Sequence, residues 1–140
     1  MYVRTYVLFV SFGLYSVVYH YFTYFLQSDL SELEDKLDST SVYYKRHTLC
    51  HTISGNDCPL LTITSTEDDP TAYLSKEYVV LSARVHPGET NSSWIMRGVV
   101  KFLLSGDVSA NLLRQKYIFK VIPMLNQDGV INGRLMYKAC

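Results

Sequence analysis

Two residues in the middle of the chain, His86 and Glu89, have side chains suited to metal chemistry. They lie three positions apart on a stretch where Pro87 disfavours a helical conformation at His86 and Gly88 lets the backbone bend. Catalytic zinc is usually held by three protein ligands, drawn from His nitrogens and Asp or Glu oxygens. The turn therefore predicts two of the three ligands. The alternative is a turn whose His and Glu only face solvent.

The segments on either side of this turn would hold both side chains in position. The apolar run at residues 79–81 is typical of a strand covered on both faces, and a helix is predicted from Asn91 to about Leu104. Tyr117 to Ile122 is a further apolar strand. Strand, helix, strand in this order indicates a βαβ unit. His86 and Glu89 would then lie beyond the carboxyl end of a strand, where ligands bind in open sheets.

Further elements are predicted on the N-terminal side. Leucines at helical spacing favour an amphipathic helix over residues 28–37, with Ser28 as its cap. Residues 43–64 predict two strands joined by a turn, and residues 64–76 a polar loop. The whole pattern indicates an α/β fold with a mixed, mostly parallel sheet and flanking helices. In this sheet, we expect the strand at residues 78–85 to lack a neighbouring strand on one side.

The apolar N-terminal segment, residues 1–27, allows two interpretations. From Thr5 to Gln27 it contains no Asp, Glu, Lys or Arg. Its Tyr, Val and Phe residues favour strands, which predicts a buried β-segment or a disordered start. The alternative is a membrane anchor or signal peptide, because the segment is long enough to span a bilayer and Arg4 precedes it. No A-x-A-like cleavage site follows.

Composition excludes some partners. Thirteen basic and thirteen acidic residues give a net charge of zero, and no basic run is present, so nucleic acid is not an expected partner. Three cysteines, an odd number, do not form a disulfide framework, and Cys50 and Cys58 are predicted to be reduced thiols in a cytosolic protein. Together with His47 and His51 they offer an alternative structural zinc site, although their spacing does not match the usual compact ligand pairs.

Three blocks of sequence, at residues 49–64, 83–96 and 117–133, lead to a family assignment. The middle block closely resembles the first zinc-binding motif of the cytosolic carboxypeptidases, a subfamily of the zinc metallocarboxypeptidases. The first resembles the segment that opens their catalytic domain. The third resembles a block in which the family usually has N-P-D-G, and here Gln127 replaces the Pro.

This resemblance implies a function as well as a fold. It implies Zn²⁺ at His86 and Glu89, and a zinc-dependent metallocarboxypeptidase, a hydrolase that removes residues from polypeptide C-terminal tails. Several members trim glutamates from tubulin, so polyglutamylated tubulin is the implied substrate and the cytoplasm the implied location. We also expect the side chains of His86 and Glu89 to share a cleft beside Asn126 and Asp128.

The resemblance covers only part of the family's pattern. Residues 28–133 match the N-terminal part of the catalytic domain, residues 1–27 would be the end of a preceding β-domain or linker, and residues 134–140 form a divergent tail. The family's third zinc ligand, its catalytic Glu and its substrate-binding arginines have no counterpart, and Arg134 lies about two places too early. No catalytic or substrate-binding residue is therefore assigned. The expected chain is a truncated enzyme that is inactive alone; the alternative is a non-enzymatic fragment that binds a partner, or a membrane through residues 5–27.

Overall fold

The residues that the structure describes form a mixed sheet with helices packed on it. A computed structural model describes residues 28, 30–35, 37 and 41–132 in full and residues 3–7 as backbone. In chain order the described elements are β1 (Val3–Val7), α1 (residues 28 and 30–35), β2 (Val42–His51), β3 (Asp57–Ser65), a 3-10 helix (Pro70–Ser75), β4 (Glu77–Ser82), α2 (Thr90–Leu104), α3 (Val108–Lys116), β5 (Tyr117–Ile122) and α4 (Gln127–Asn132).

The five strands lie in the order β1-β4-β5-β3-β2. β4 pairs in parallel with both β1 and β5, whereas β3 pairs antiparallel with β5 and β2. The predicted α/β class with a mixed sheet is confirmed, and two of its four strand pairings are parallel. The expectation that the strand at 78–85 lacks a partner on one side is wrong, because β1 occupies that side of β4.

The hydrophobic core lies on one face of the sheet. Alternate side chains of the paired strands β3 and β5 point to this face, and α1 and α2 pack onto it. The core contains Leu61, Ile63, Phe119 and Val121 from the strands and Leu30, Met96, Val100 and Leu103 from the helices. Burying each such side chain contributes about 1.5–3 kcal/mol. This packing fixes α2, and hence the turn before it, against the sheet.

Local signals set several element boundaries. The carboxylate of Asp107 accepts hydrogen bonds from the backbone N–H groups of Ser109 and Ala110 and caps α3, as its residue type predicts. The strand predicted from Tyr117 to Ile122 is observed with those bounds. The stretch predicted as a polar loop contains the 3-10 helix Pro70–Ser75, which Asp69 caps by accepting from the N–H of Thr71. That part of the loop prediction is wrong.

The structure tests the predictions for the N-terminal segment only in part, and it tests those for two of the cysteines. Val3–Val7 is a strand, whereas residues 8–27 and the tail at 134–140 lie outside the described residues. Within the described ranges, no helix is long and apolar enough to cross a membrane.

Cys58 is free and buried, as predicted, and burial raises the pKa of its thiol. Cys50 is disulfide-bonded, so the prediction of a reduced thiol there is wrong.

Candidate metal centre

His86 and Glu89 lie on one tight turn between β4 and α2. The N–H of Glu89 donates to the carbonyl of His86 over 3.1 Å, and the N–H of Thr90 donates to that of Gly88 over 2.9 Å. Glu89 is the N-cap residue of α2, and its own carbonyl accepts from the N–H of Ser92 over 3.1 Å. The two candidate ligands are therefore joined by the backbone of one hydrogen-bonded turn at the carboxyl end of a parallel strand.

The environments of the two side chains differ. The imidazole of His86 is exposed, whereas Glu89 is only 9 % exposed. The Glu89 carboxylate makes no capping hydrogen bond to α2, and in the described part of the chain no hydrogen bond or ion pair involves either side chain. The carboxylate oxygens of Glu89 are not among the fully buried polar atoms that lack a partner, so they are accessible to solvent and to a metal ion. A nearly buried, unpartnered carboxylate three residues after an accessible imidazole fits a metal-binding pair.

Arg84 braces this turn from inside the protein. Its side chain is 1 % exposed, its Nε–H donates to the carbonyl of Pro87 over 2.9 Å and its Nη1 donates to the hydroxyl of Ser93 over 2.9 Å. The backbone N–H of Arg84 donates to Ser92 Oγ over 3.2 Å. Arg84 adopts φ 56°, a left-handed conformation that costs a residue other than glycine about 1–3 kcal/mol. Such strain, retained beside the candidate ligands, indicates that the turn is held in one shape.

A second brace comes from the segment after β5. The backbone N–H of Asn126 donates to the carbonyl of Arg84 over 3.1 Å, and its side-chain amide donates to that of Val85 over 3.0 Å. Its Oδ1 accepts from the N–H of Gly129 over 2.9 Å. A Cβ at Gly129 would lie 2.6 Å from Cγ of Pro87, so this close approach requires glycine. Asn126 is thus beside the turn, as expected from the sequence.

Asp128, which the sequence predicts to lie beside the same cleft, bonds to the β2–β3 hairpin. Its carboxylate accepts hydrogen bonds from Thr52 Oγ1 over 2.5 Å, from the N–H of Ser54 over 3.0 Å and from Asn56 Nδ2 over 2.8 Å. Burial acts to raise the pKa of Asp128, but these hydrogen bonds outweigh it and hold the pKa below its usual value. Asp128 therefore anchors the β2–β3 hairpin to α4.

Three of the four residues of the alternative zinc site have other partners. His51 Nδ1 lies 2.7 Å from the Asp57 carboxylate, and Cys58 Sγ donates to the carbonyl of Met124 over 3.6 Å. With Cys50 in a disulfide, the alternative zinc site at His47, Cys50, His51 and Cys58 loses one of its ligands. Residues 28, 30–35, 37 and 41–132 contain no group of three or more His, Cys, Asp or Glu side chains that could hold a metal ion.

Comparison with known proteins assigns this α/β fold to the class of zinc carboxypeptidases. The family model for zinc carboxypeptidases matches residues 30–137, and the chain belongs to this family. The predicted resemblance to the cytosolic carboxypeptidases is confirmed. Human cytosolic carboxypeptidase 1 is 48 % identical over 122 residues, covering 82 % of this chain, and mouse cytosolic carboxypeptidase 4 is 48 % identical over 124 residues, covering 84 %.

These relatives are much longer than this chain. The matched region covers 10 % of the human protein and 11 % of the mouse protein, so the chain spans about a tenth of the length of the curated relatives it matches. Among solved structures, a metallo-carboxypeptidase from Burkholderia cenocepacia is 31 % identical with a TM-score of 0.63. That match covers 81 % of this chain and 29 % of the bacterial one.

Proposed function

We propose that His86 and Glu89 are two ligands of the catalytic Zn²⁺ of a cytosolic carboxypeptidase. The proposal rests mainly on Glu89, a nearly buried carboxylate without a described partner at the start of α2. Glu89 brings a negative charge and a hard oxygen donor, and His86 brings a nitrogen donor, both of which zinc accepts. Membership of the zinc carboxypeptidase family supports this ligand assignment.

The residues around the pair would keep it in position for hydrolysis of a peptide bond. Bound zinc supplies Lewis-acid chemistry to such a reaction. Arg84 and Asn126 hold the turn so that the imidazole and the carboxylate keep one relative orientation. We propose the C-terminal tails of polypeptides as substrates, with glutamates as the residues removed and tubulin as one such protein. The relatives' names favour a cytoplasmic location.

Two ligands alone leave most of the coordination sphere of zinc to water. We therefore propose that this chain binds zinc weakly and has no carboxypeptidase activity alone, because a third ligand and a general base are needed as well. The competing proposal is a non-enzymatic fragment that binds a partner, or a membrane through residues 5–27. The absence of charged side chains from that segment favours it.

Zinc titration tests the ligand assignment. Metal-free protein, prepared with a chelator, is titrated with Zn²⁺ in a calorimeter. We expect one weak site that is lost in both His86→Ala and Glu89→Gln, and retained in His47→Ala, which removes another exposed histidine. Equal loss in the His47 variant would overturn the assignment. Submicromolar affinity that depends on His86 would show that the chain supplies a further ligand.

Peptide hydrolysis tests the proposed inactivity. The whole chain is incubated with zinc and a peptide that ends in several glutamates, and free glutamate is measured. We expect no release above a metal-free control. Release that disappears in Glu89→Gln would show that this chain is a complete enzyme and would contradict the proposal.

A further inference from the structure

A groove of about 550 Å³ lies between α1, the β2–β3 hairpin and the segment that leads into α4. Its volume is within the usual range for small-molecule sites, about 300–1,000 Å³. Neither His86 nor Glu89 lines it. Its apolar wall is formed by Leu30, Pro59 and Met124, and its polar residues include Arg46 and Gln127.

The groove contains hydrogen-bond donors that lack acceptors. Gln127 is 8 % exposed, yet no hydrogen bond joins its side-chain amide to any residue that the structure describes. Its amide atoms are not among the fully buried polar atoms that lack a partner, so they are accessible from the groove. The guanidinium of Arg46 contacts Glu34 at 3.8 Å, which is too long for a hydrogen bond. Its planar set of N–H groups is therefore available for further pairing.

The acidic residues of the groove are already engaged. Glu34 Oε1 accepts a hydrogen bond from the hydroxyl of Tyr44 over 2.7 Å. Burial, and after it this hydrogen bond, raises the pKa of Tyr44, so the hydroxyl stays protonated and remains the donor. The Asp57 carboxylate lies 2.7 Å from the imidazole of His51. Glu34 and Asp57 keep their charges, so a carboxylate would bind here by replacing Glu34 at the guanidinium of Arg46. The free hydrogen-bond donors of the groove are on Arg46 and Gln127, which suits a ligand group that accepts hydrogen bonds.

We propose that this groove binds a carboxylate group, with Arg46 pairing to its two oxygens and Gln127 donating from its amide. Arginine recognises carboxylates by paired, charge-assisted hydrogen bonds. Leu30, Pro59 and Met124 would contact the aliphatic part of the ligand. Such a carboxylate can belong to a small free acid or to an acidic side chain of a polypeptide. The site is separate from the His86–Glu89 pair and does not depend on zinc.

Binding of a matched pair of probes tests this site. Glutarate and glutaramide have the same carbon skeleton, but only glutarate has carboxylates. Each is titrated into the whole chain at constant ionic strength, and the side-chain amide resonances of Gln127 are followed by NMR. We expect saturable shifts with glutarate and none with glutaramide. A C-terminally amidated peptide of glutamates distinguishes the sources: tighter binding than glutarate indicates a polypeptide ligand, and weaker binding a free acid.

Three variants locate the interaction. Arg46→Met and Gln127→Met keep side-chain length and remove the donors, and we expect each to weaken glutarate binding by about tenfold or more. Lys45→Met is the matched control, because it removes a charge from the next residue of β2, whose side chain lies on the opposite face. Unfolding curves confirm that each variant is folded. Equal binding of glutaramide, an equal loss in Lys45→Met, or no loss in Gln127→Met would overturn the proposal.

Discussion

The side-chain amide of Asn126 donates a hydrogen bond over 3.0 Å to the carbonyl of Val85, the residue directly before His86. The backbone N–H of Asn126 donates to the carbonyl of Arg84 as well, so a residue in the segment after β5 holds two consecutive carbonyls in the segment after β4. The conformation of the candidate metal-binding turn thus depends on contact between the segments that follow two neighbouring parallel strands.

Replacement of Asn126 is expected to loosen this turn. In Asn126→Ala the carbonyl of Val85 and the N–H of Gly129 lose their partners, which should lower the free energy of unfolding by about 1–3 kcal/mol. Zinc affinity should fall by about tenfold or more, as for other residues that orient metal ligands. Urea unfolding and zinc titration measure the two effects. Asn132→Ala, at an exposed position of α4, is the control and should change neither.

Substitution by alanine is expected to lower the stability of the fold at one glycine and to raise it at another. A Cβ at Gly129 would lie 2.6 Å from Pro87 and 2.7 Å from the Asn126 side chain, so Gly129→Ala should destabilise the fold by about 1–3 kcal/mol. Gly98 lies in the interior of α2 with nothing within 4 Å of such an atom. Gly98→Ala should therefore stabilise by about 0.5–1 kcal/mol. Thermal unfolding of both variants is the measurement, and a stable Gly129→Ala protein would contradict the close packing.

Asp128 is expected to make stability depend on acid pH. Its folded-state pKa is held below the unfolded value of about 3.9, so the unfolded chain binds the proton more readily. The stabilisation is therefore present above the unfolded pKa and is lost as the pH falls through the folded pKa. Urea unfolding between about pH 6 and pH 2.5 should show this loss, and Asp128→Asn should reduce it.

The control for the pH experiment is Asp68→Asn, at an exposed position between β3 and the 3-10 helix. This variant should keep the acid-dependent loss seen in the unmodified chain. If Asp68→Asn and Asp128→Asn flatten the pH profile equally, the three hydrogen bonds to Asp128 are not the cause of the dependence.

Lys76 is expected to matter more for stability than its ionic partner. Its ammonium group is buried and lies within hydrogen-bond distance of four acceptors: Ser65 and Glu67 at 2.6 Å each, and Thr64 and the carbonyl of Arg114 at 3.1 Å each. Lys76→Met removes these hydrogen bonds and should lower the free energy of unfolding by about 1–3 kcal/mol. Glu67→Gln should cost less, about 0–1 kcal/mol, because the Glu67 side chain is partly exposed. Chemical unfolding measures the loss of unfolding free energy in each variant. A larger loss in Glu67→Gln than in Lys76→Met would contradict the prediction.

The same ion pair has an NMR signature. The hydrogen bond from Lys76, followed by that from Ser65, lowers the pKa of Glu67. In Lys76→Met the pKa of Glu67 should therefore rise towards its ordinary value. An unchanged carboxyl titration would show that the hydrogen bond does not persist in solution.

Local patterns predicted the parts of the structure that local chemistry decides. The bend at Pro87 and Gly88 and the strand from Tyr117 to Ile122 both follow from neighbouring residues. The pairing of β1 with β4 could not be predicted in this way, because it depends on two segments that are distant along the chain.

The braces around the candidate site were missed for a related reason. Asp128 binds a hairpin turn formed by residues 52–56, and Arg84 binds the turn that follows it while adopting φ 56°. Neither residue type nor spacing specifies such contacts, since an arginine after a strand is usually exposed. For Asp128, the sequence offered one signal: residues 52–56 of the hairpin turn are rich in hydrogen-bond donors, from which a carboxylate can accept.

The position of β1 also has a consequence for the order in which the protein folds. Val3 is aligned with Tyr78 and Val7 with Ser82, so β1 can pair with β4 only after Glu77–Ser82 has also left the ribosome. β2 and β3 are consecutive along the chain, and hairpins of this kind form within about 1–10 μs. Assembly is therefore expected to start at the hairpin. β1 joins late, because closing so long a loop has the larger entropic cost.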